Sequence, residues 1–144
     1  METTTVERTV DLDAPVEDVW SALTEDGELS DWFGGPSMLD PVPGGAGRFE
    51  SDDGDVRRAR VDDVEPGRRL SWRWWSEGDD DGPITAVTFE LTSLPAGTRL
   101  VVTERVLLPG TPPASASASA SVLGASLHRL QLRMRLRLVA RGRV

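Results

Sequence analysis

The sequence predicts an α+β domain: a curved antiparallel sheet, two short helices after its first strand, and a long C-terminal helix. Three observations carry this prediction. Residues 16–33 hold two short helical patterns in succession. From residue 48 to residue 108 the chain runs in strand-like stretches separated by tight turns. Residues 123–138 carry an apolar stripe at helical spacing. Strands joined by tight turns build antiparallel sheets, and helices gathered at the chain ends mark an α+β arrangement.

Length and composition bound the rest. The 144 residues are expected to form one domain, 1–144, large enough to bury a core without staples. Cys is absent, which excludes disulfides and thiolate chemistry. The longest apolar runs fall well short of the roughly 18 residues of a membrane span. METTTVERTV at the start has neither a basic nor an apolar segment, so no signal peptide is expected and the cytoplasm is the expected compartment. All sixteen basic residues are Arg, and Lys, Asn and Tyr are missing, a pattern of GC-rich coding bias. The net charge of −8 hides an asymmetry. Every one of the 24 acidic residues lies in 1–114, whereas 115–144 holds six Arg and no acid. An acidic body is expected to repel nucleic acid, and no DNA partner is expected; the basic end suits that same body, a protein partner's acidic surface, RNA or self-association.

Thr4–Leu12 alternates, with Val6, Arg8, Val10 and Leu12 in one phase, the period of a half-buried strand. In the first helix Val16, Val19, Trp20 and Leu23 share a face; Asp13 is placed as N-cap and Pro15 in the first turn. Thr24–Gly27 is expected to break this helix, and Leu29–Phe33 to form the second, stopped by Gly34-Gly35-Pro36. Ser37–Gly47, rich in Pro and Gly, reads as a loop. Arg48–Ser51 is a short strand, 51–55 a turn, Val56–Glu65 a loosely alternating strand and 65–68 a turn. Arg69–Ser76 places Leu70, Trp72 and Trp74 on one face and Ser71, Arg73 and Trp75 on the other. After a solvated loop at 77–83, Thr85–Ser93 and Arg99–Leu108 form a hairpin pair, with Val87, Phe89 and Leu91 on one face. Ala114–Ser121 is an Ala/Ser repeat of low complexity. Leu130–Leu138 alternates like a strand, but its residues are helix formers, so one helix through Leu123, Leu127, Leu130, Met134 and Leu138 is expected.

VWSALTEDGELSDWF (19–33), RARVDDVEPGRRLSWRW (58–74) and AVTFELTSLPAGTRLVVTE (86–104) resemble the START-like, SRPBCC helix-grip superfamily. Within it they are most similar to bacterial homologues of the activator of the heat-shock Hsp ATPase. The resemblance implies a seven-stranded antiparallel sheet gripping a long C-terminal helix, with an internal cavity between them. It also implies that Trp32 and Phe33 cap that cavity, that Trp72, Trp74, Phe89 and Leu91 line its sheet side, and that Leu127, Leu130 and Met134 form its helix side. Where relatives open the last helix with a Gly-Trp pair, this chain has Gly124-Ala125.

The polar candidates are few. Arg73, Arg105, Glu90 and Glu104 fall mid-strand, where an inward charge is costly. An inward Arg73 would orient a carboxylate or phenolate ligand; the competing expectation puts all four on the outer face. His128 is the only histidine, too little for a zinc site or an oriented general base. The clusters Asp52-Asp53-Asp55, Asp62-Asp63 and Asp79-Asp80-Asp81 lack calcium-loop spacing and read as solvated turns. No catalytic residue, metal or cofactor is expected. The first functional reading is binding of an apolar or aromatic small molecule, lipid-like or polyketide-like. The alternatives are a protein-interaction or chaperone-associated module acting through 115–144, and an enzyme of the cyclase or dehydratase kind.

Overall fold

The computed structural model describes residues 5–33, 35–51, 54–78 and 84–107. The expected C-terminal helix, with Leu127, His128, Leu130 and Met134, lies outside the described residues. Within them the order is β1 (Thr5–Leu12), α1 (Val16–Thr24), α2 (Asp26–Phe33), β2 (Ser37–Leu39), β3 (Ala46–Glu50), β4 (Val56–Glu65), β5 (Arg69–Ser76), β6 (Thr85–Leu94) and β7 (Gly97–Val106). The strands form one antiparallel seven-stranded sheet in the order β1-β7-β6-β5-β4-β3-β2. Each neighbouring pair from β2 to β7 is joined by a turn or loop, as tight-turn spacing requires. The exception is β1, which crosses to pair with β7 and brings Val10 opposite Leu100.

Facing residues in neighbouring strands share a side of the sheet, so the register sorts the side chains into rows. One inner row runs Val6, Glu104, Val87, Trp72, Val61. A second runs Val106, Thr85, Trp74, Ala59, Gly47, Leu39. A third runs Arg8, Val102, Phe89, Leu70, Val64. These rows hold nine of the twenty buried core residues, joined by Val19, Ala22, Leu23, Leu29, Trp32 and Phe33 from the two helices. The helices meet the sheet at β2 and at β6–β7.

Several local expectations are corrected. Asp13 is not the N-cap of α1. Pro15 is, in extended conformation and without a side-chain cap, and its carbonyl accepts from Asp18 N at 3.0 Å and Val19 N at 3.2 Å. The break between the helices is narrower than Thr24–Gly27: Glu25 alone separates them, donating its N–H to Ser21 O at 2.9 Å. Asp26 and Gly27 already belong to α2. The loop expected over Ser37–Gly47 contains β2, whose Ser37 and Leu39 are buried and whose Leu39 N–H donates to Asp26 Oδ1 at 3.0 Å. A carboxylate from the preceding helix thus anchors an edge strand too short to show its own period. In β3, Gly47 stands where a Cβ would lie 2.9 Å from Leu39 Cδ1 and 3.2 Å from Ala59 Cβ. Only glycine lets these strands close over the aromatic rings.

Candidate functional site

The inner face of β3, β5 and β6, together with the end of α2, gathers the aromatic side chains. Phe49 is the hub: its ring centroid lies 5.1 Å from Trp72, 5.3 Å from Phe33 and 5.6 Å from Trp74. Trp72 stands 5.7 Å from Trp74 and 4.8 Å from Phe89, and Phe33 reaches Trp74 edge-on at 6.1 Å. Alternation along β5 and β6 puts these rings on one face, and the antiparallel register puts Trp72 beside Val87 and Trp74 beside Thr85. Tilted and edge-on pairs at these distances suit the ring quadrupoles.

The polar atoms of this face divide in two. Trp32, from α2, donates its indole N–H to the Ala22 carbonyl at 2.7 Å. That carbonyl belongs to the last turn of α1, where helix carbonyls lack intrahelical partners, so the indole ties α1 to α2. Trp72 and Trp74 are as deeply buried, at 1% and 0% exposure. Yet among the described residues the Nε1 of each has no hydrogen-bond partner, and neither does the buried Nε of Arg8. The Arg57 guanidinium lies 5.0 Å from the Trp74 ring centroid and 3.9 Å from Asp55. Glu104 is the most deeply buried carboxylate among the described residues and stands one row diagonally from Arg8.

Of the residues singled out from the sequence, Trp32, Phe33, Trp72, Trp74, Phe89 and Leu91 are all buried on this side, and the first five share the ring cluster or its border. Arg73 is a correction. It points to the outer face, about half exposed, where its Nη2 stands 3.0 Å from Asp62 Oδ1. The register shift between Val61 and Asp63 leaves Asp62 out of the ladder, where it pairs with Arg73. Glu90 and Arg105 are also exposed, so of the four mid-strand ions Glu104 alone faces inward. Arg8 and Arg57 were not singled out, although a signal existed. Arg8 alternates in phase with Val6, Val10 and Leu12, and Arg57 in phase with Ala59 and Val61.

Ala14, Pro15, Val16 and Glu17 at the start of α1 face Ser93–Gly97 across an open groove of about 480 Å³. It is separate from the ring cluster. Among the described residues no group of three or more His, Cys, Asp or Glu is placed to hold a metal.

Comparison with known proteins places this arrangement. The family described as Activator of Hsp90 ATPase homolog 1-like protein matches residues 13–134. The chain belongs to that family. Protein MLL2253 from Mesorhizobium loti superposes with a TM-score of 0.75 at 27% identity, covering 97% of this chain and 98% of that one. DynU16, from the dynemicin biosynthetic locus, gives a TM-score of 0.78 at 30% identity; the match covers 91% of this chain and 47% of DynU16. The Aha1 dimer from Colwellia psychrerythraea shares the fold, with a TM-score of 0.73 at 18% identity over 91% of this chain and 96% of that one. No curated protein matches significantly. Membership of this family agrees with the START-like reading of the three sequence motifs and with the sheet-and-helices architecture.

Proposed function

We propose that the chain binds an apolar or aromatic small molecule, lipid-like or polyketide-like, on the inner face of its sheet. The observation that carries this reading is the pairing of an aromatic, buried face with polar atoms that no described residue completes: Trp72 Nε1, Trp74 Nε1 and Arg8 Nε. A finished core pairs its polar groups almost without exception. Small-molecule sites are mostly apolar with a few placed polar groups, which is the composition of this face. A relative encoded in the dynemicin biosynthetic locus supports a role near small-molecule chemistry. Native mass spectrometry of the purified protein beside a denatured control tests the reading. The expected result is an added mass that leaves on denaturation. A bare protein, together with unchanged tryptophan emission on adding 1-anilinonaphthalene-8-sulfonate, would overturn it.

The family description favours a second reading, a chaperone-associated interaction module acting through residues 115–144. That segment carries six Arg and no acid. Replacing all six by Gln in the full chain should then remove the captured partner; an unchanged partner list sinks this reading.

A further inference from the structure

We infer that the outer face of the sheet docks a short, extended acidic segment of a protein partner through Arg48, Arg58, Arg60, Arg73 and Arg105. This surface lies on the other side of the sheet from the ring cluster, so the inference stands apart from the small-molecule reading.

The strand register carries the argument. One outer row runs Met38, Arg48, Arg58, Trp75. The next runs Ala46, Arg60, Arg73, Ala86, Arg105. Five of the ten Arg in residues 1–114, a stretch with 24 acids, thus meet in two adjacent rows. Arg48 stands directly across from Arg58, and Arg60 directly across from Arg73. Like charges directly opposite destabilise a sheet, so neither pairing serves the fold. Two carboxylates of the chain offset part of this charge. Glu77 meets Arg58 and lies 4.0 Å from Arg48. Asp62 accepts from Arg73 Nε through both of its oxygens at 3.1 Å. Arg60 reaches only the Gly44 carbonyl, at 3.4 Å, and Arg105 has no ion pair or hydrogen bond among the described residues. The two rows therefore keep an excess of positive charge in a strongly acidic body.

The extent of the rows sets the partner. Strands lie about 4.8 Å apart, so Arg60 to Arg105 spans roughly 14 Å, and the two rows stand about 7 Å apart along the strands. An extended segment of about five residues covers that length. Carboxylates are the anions these guanidinium groups already take, and Arg holds them through paired donors. Beyond the Arg the charge changes sign. The next outer row holds Glu7 and Asp63, the one after it Glu65 and Glu90, and Glu50 follows Arg48 along β3. A long polyanion such as RNA would be carried onto these acids, whereas a short acidic segment stays within the rows. Trp75, half-buried, and Met38, 56% exposed, add apolar contact at the ends of the first row.

The test titrates the full ¹⁵N-labelled chain with three probes: acetyl-EEEEE-amide, its neutral counterpart acetyl-QQQQQ-amide, and a uridine pentanucleotide. The acidic peptide should bind in low salt, move the Nε signals of Arg60 and Arg105, and be released at about 1 M salt. The neutral peptide should not bind. In the double variant Arg60→Gln, Arg105→Gln the affinity for the acidic peptide should fall about fivefold, the size expected of two exposed ion contacts. Its Tm should hold, because the change relieves facing like charges. The charge-matched double variant Arg68→Gln, Arg99→Gln, at exposed positions outside the two rows, should keep the wild-type affinity. Absence of binding by the acidic peptide, an equal loss in both double variants, or tighter binding of the pentanucleotide overturns the inference. None of these outcomes bears on the small-molecule reading.

Discussion

Replacing each buried tryptophan by phenylalanine in turn should separate a paired indole from two unpaired ones. Each change removes a similar slice of buried ring, about 1–2 kcal/mol if full truncation to alanine costs about 3–5 kcal/mol. At Trp32 a further loss follows. The indole caps the Ala22 carbonyl at 2.7 Å, and Ala22 is fully buried. Stranding that acceptor adds about 1–3 kcal/mol. At Trp72 and Trp74 the sign reverses, because the deleted N–H had no acceptor; relief of the same order offsets the lost ring. Trp32→Phe should therefore be less stable than either sheet variant by about 2–6 kcal/mol. For a chain of this length that is roughly 4–24 °C in Tm. Urea unfolding followed by far-UV circular dichroism gives the comparison without relying on tryptophan emission, and the slopes should be equal across the three variants. The reasoning is refuted if Trp32→Phe proves no more destabilising than Trp72→Phe and Trp74→Phe.

Phe49→Ala should cost about 3–5 kcal/mol, because Phe49 touches three other rings; a loss below about 1 kcal/mol on thermal unfolding would mean that the rings are not packed on one another. Gly47→Ala should destabilise by about 1–3 kcal/mol through overpacking, since the new methyl meets Leu39 and Ala59 at 2.9 and 3.2 Å. Gly27→Ala, in α2 with open space around it, should stabilise by about 0.5–1 kcal/mol, and matched denaturant curves would show the opposite signs. Asp11 and Arg99 join β1 to β7, with Arg99 Nε donating to Asp11 Oδ1 at 2.9 Å. That hydrogen bond holds the Asp11 carboxyl below its ordinary value. The lowered group contributes stability that is present above the ordinary carboxylate range and lost as pH falls through the folded-state value. In an NMR titration, Arg99→Gln should raise the Asp11 midpoint; an unmoved midpoint would exclude the pairing as its cause.

The fold was legible where period and turn chemistry agree. Alternation grouped Trp72 with Trp74 and Phe89 with Leu91 on one face of each strand, because a two-residue period admits only two faces; that this face is the inner one was implied by the family resemblance. The helix pair was legible from spacing, although its boundary was not: Pro15 holds the cap that side-chain chemistry assigns to Asp13. Strand β2 was hidden because three residues carry no measurable period and because its anchor, Asp26, lies thirteen positions away in sequence. Arg73 was weighed as an inward cation because the bulge that supplies its partner Asp62 leaves no mark in the local pattern. Arg8 shows the converse. It stands in phase with apolar residues along β1, and only the pairing of β1 with β7 shows that this phase faces the core row of Val102 and Phe89.

Charge is sorted by face, and the sorting bears on what the inner face is for. On the outer side Arg73 meets Asp62, Arg99 meets Asp11, Arg58 meets Glu77 and Arg69 lies near Asp63. These pairs are exposed, so water and salt screen them and they add little to stability. Stability therefore rests on the inner rows, where every buried polar atom counts. A sequence shaped for stability alone would carry Phe at 72 and 74 and an aliphatic residue at 8, since each would keep most of the packing and remove a donor without a partner among the described residues. Local choices that cost stability without a structural return concentrate at functional positions. The paired outer charges need no such account, because their partners are present. Three donors along one buried face, without a partner among the described residues, do, and they are the ground on which small-molecule binding is proposed.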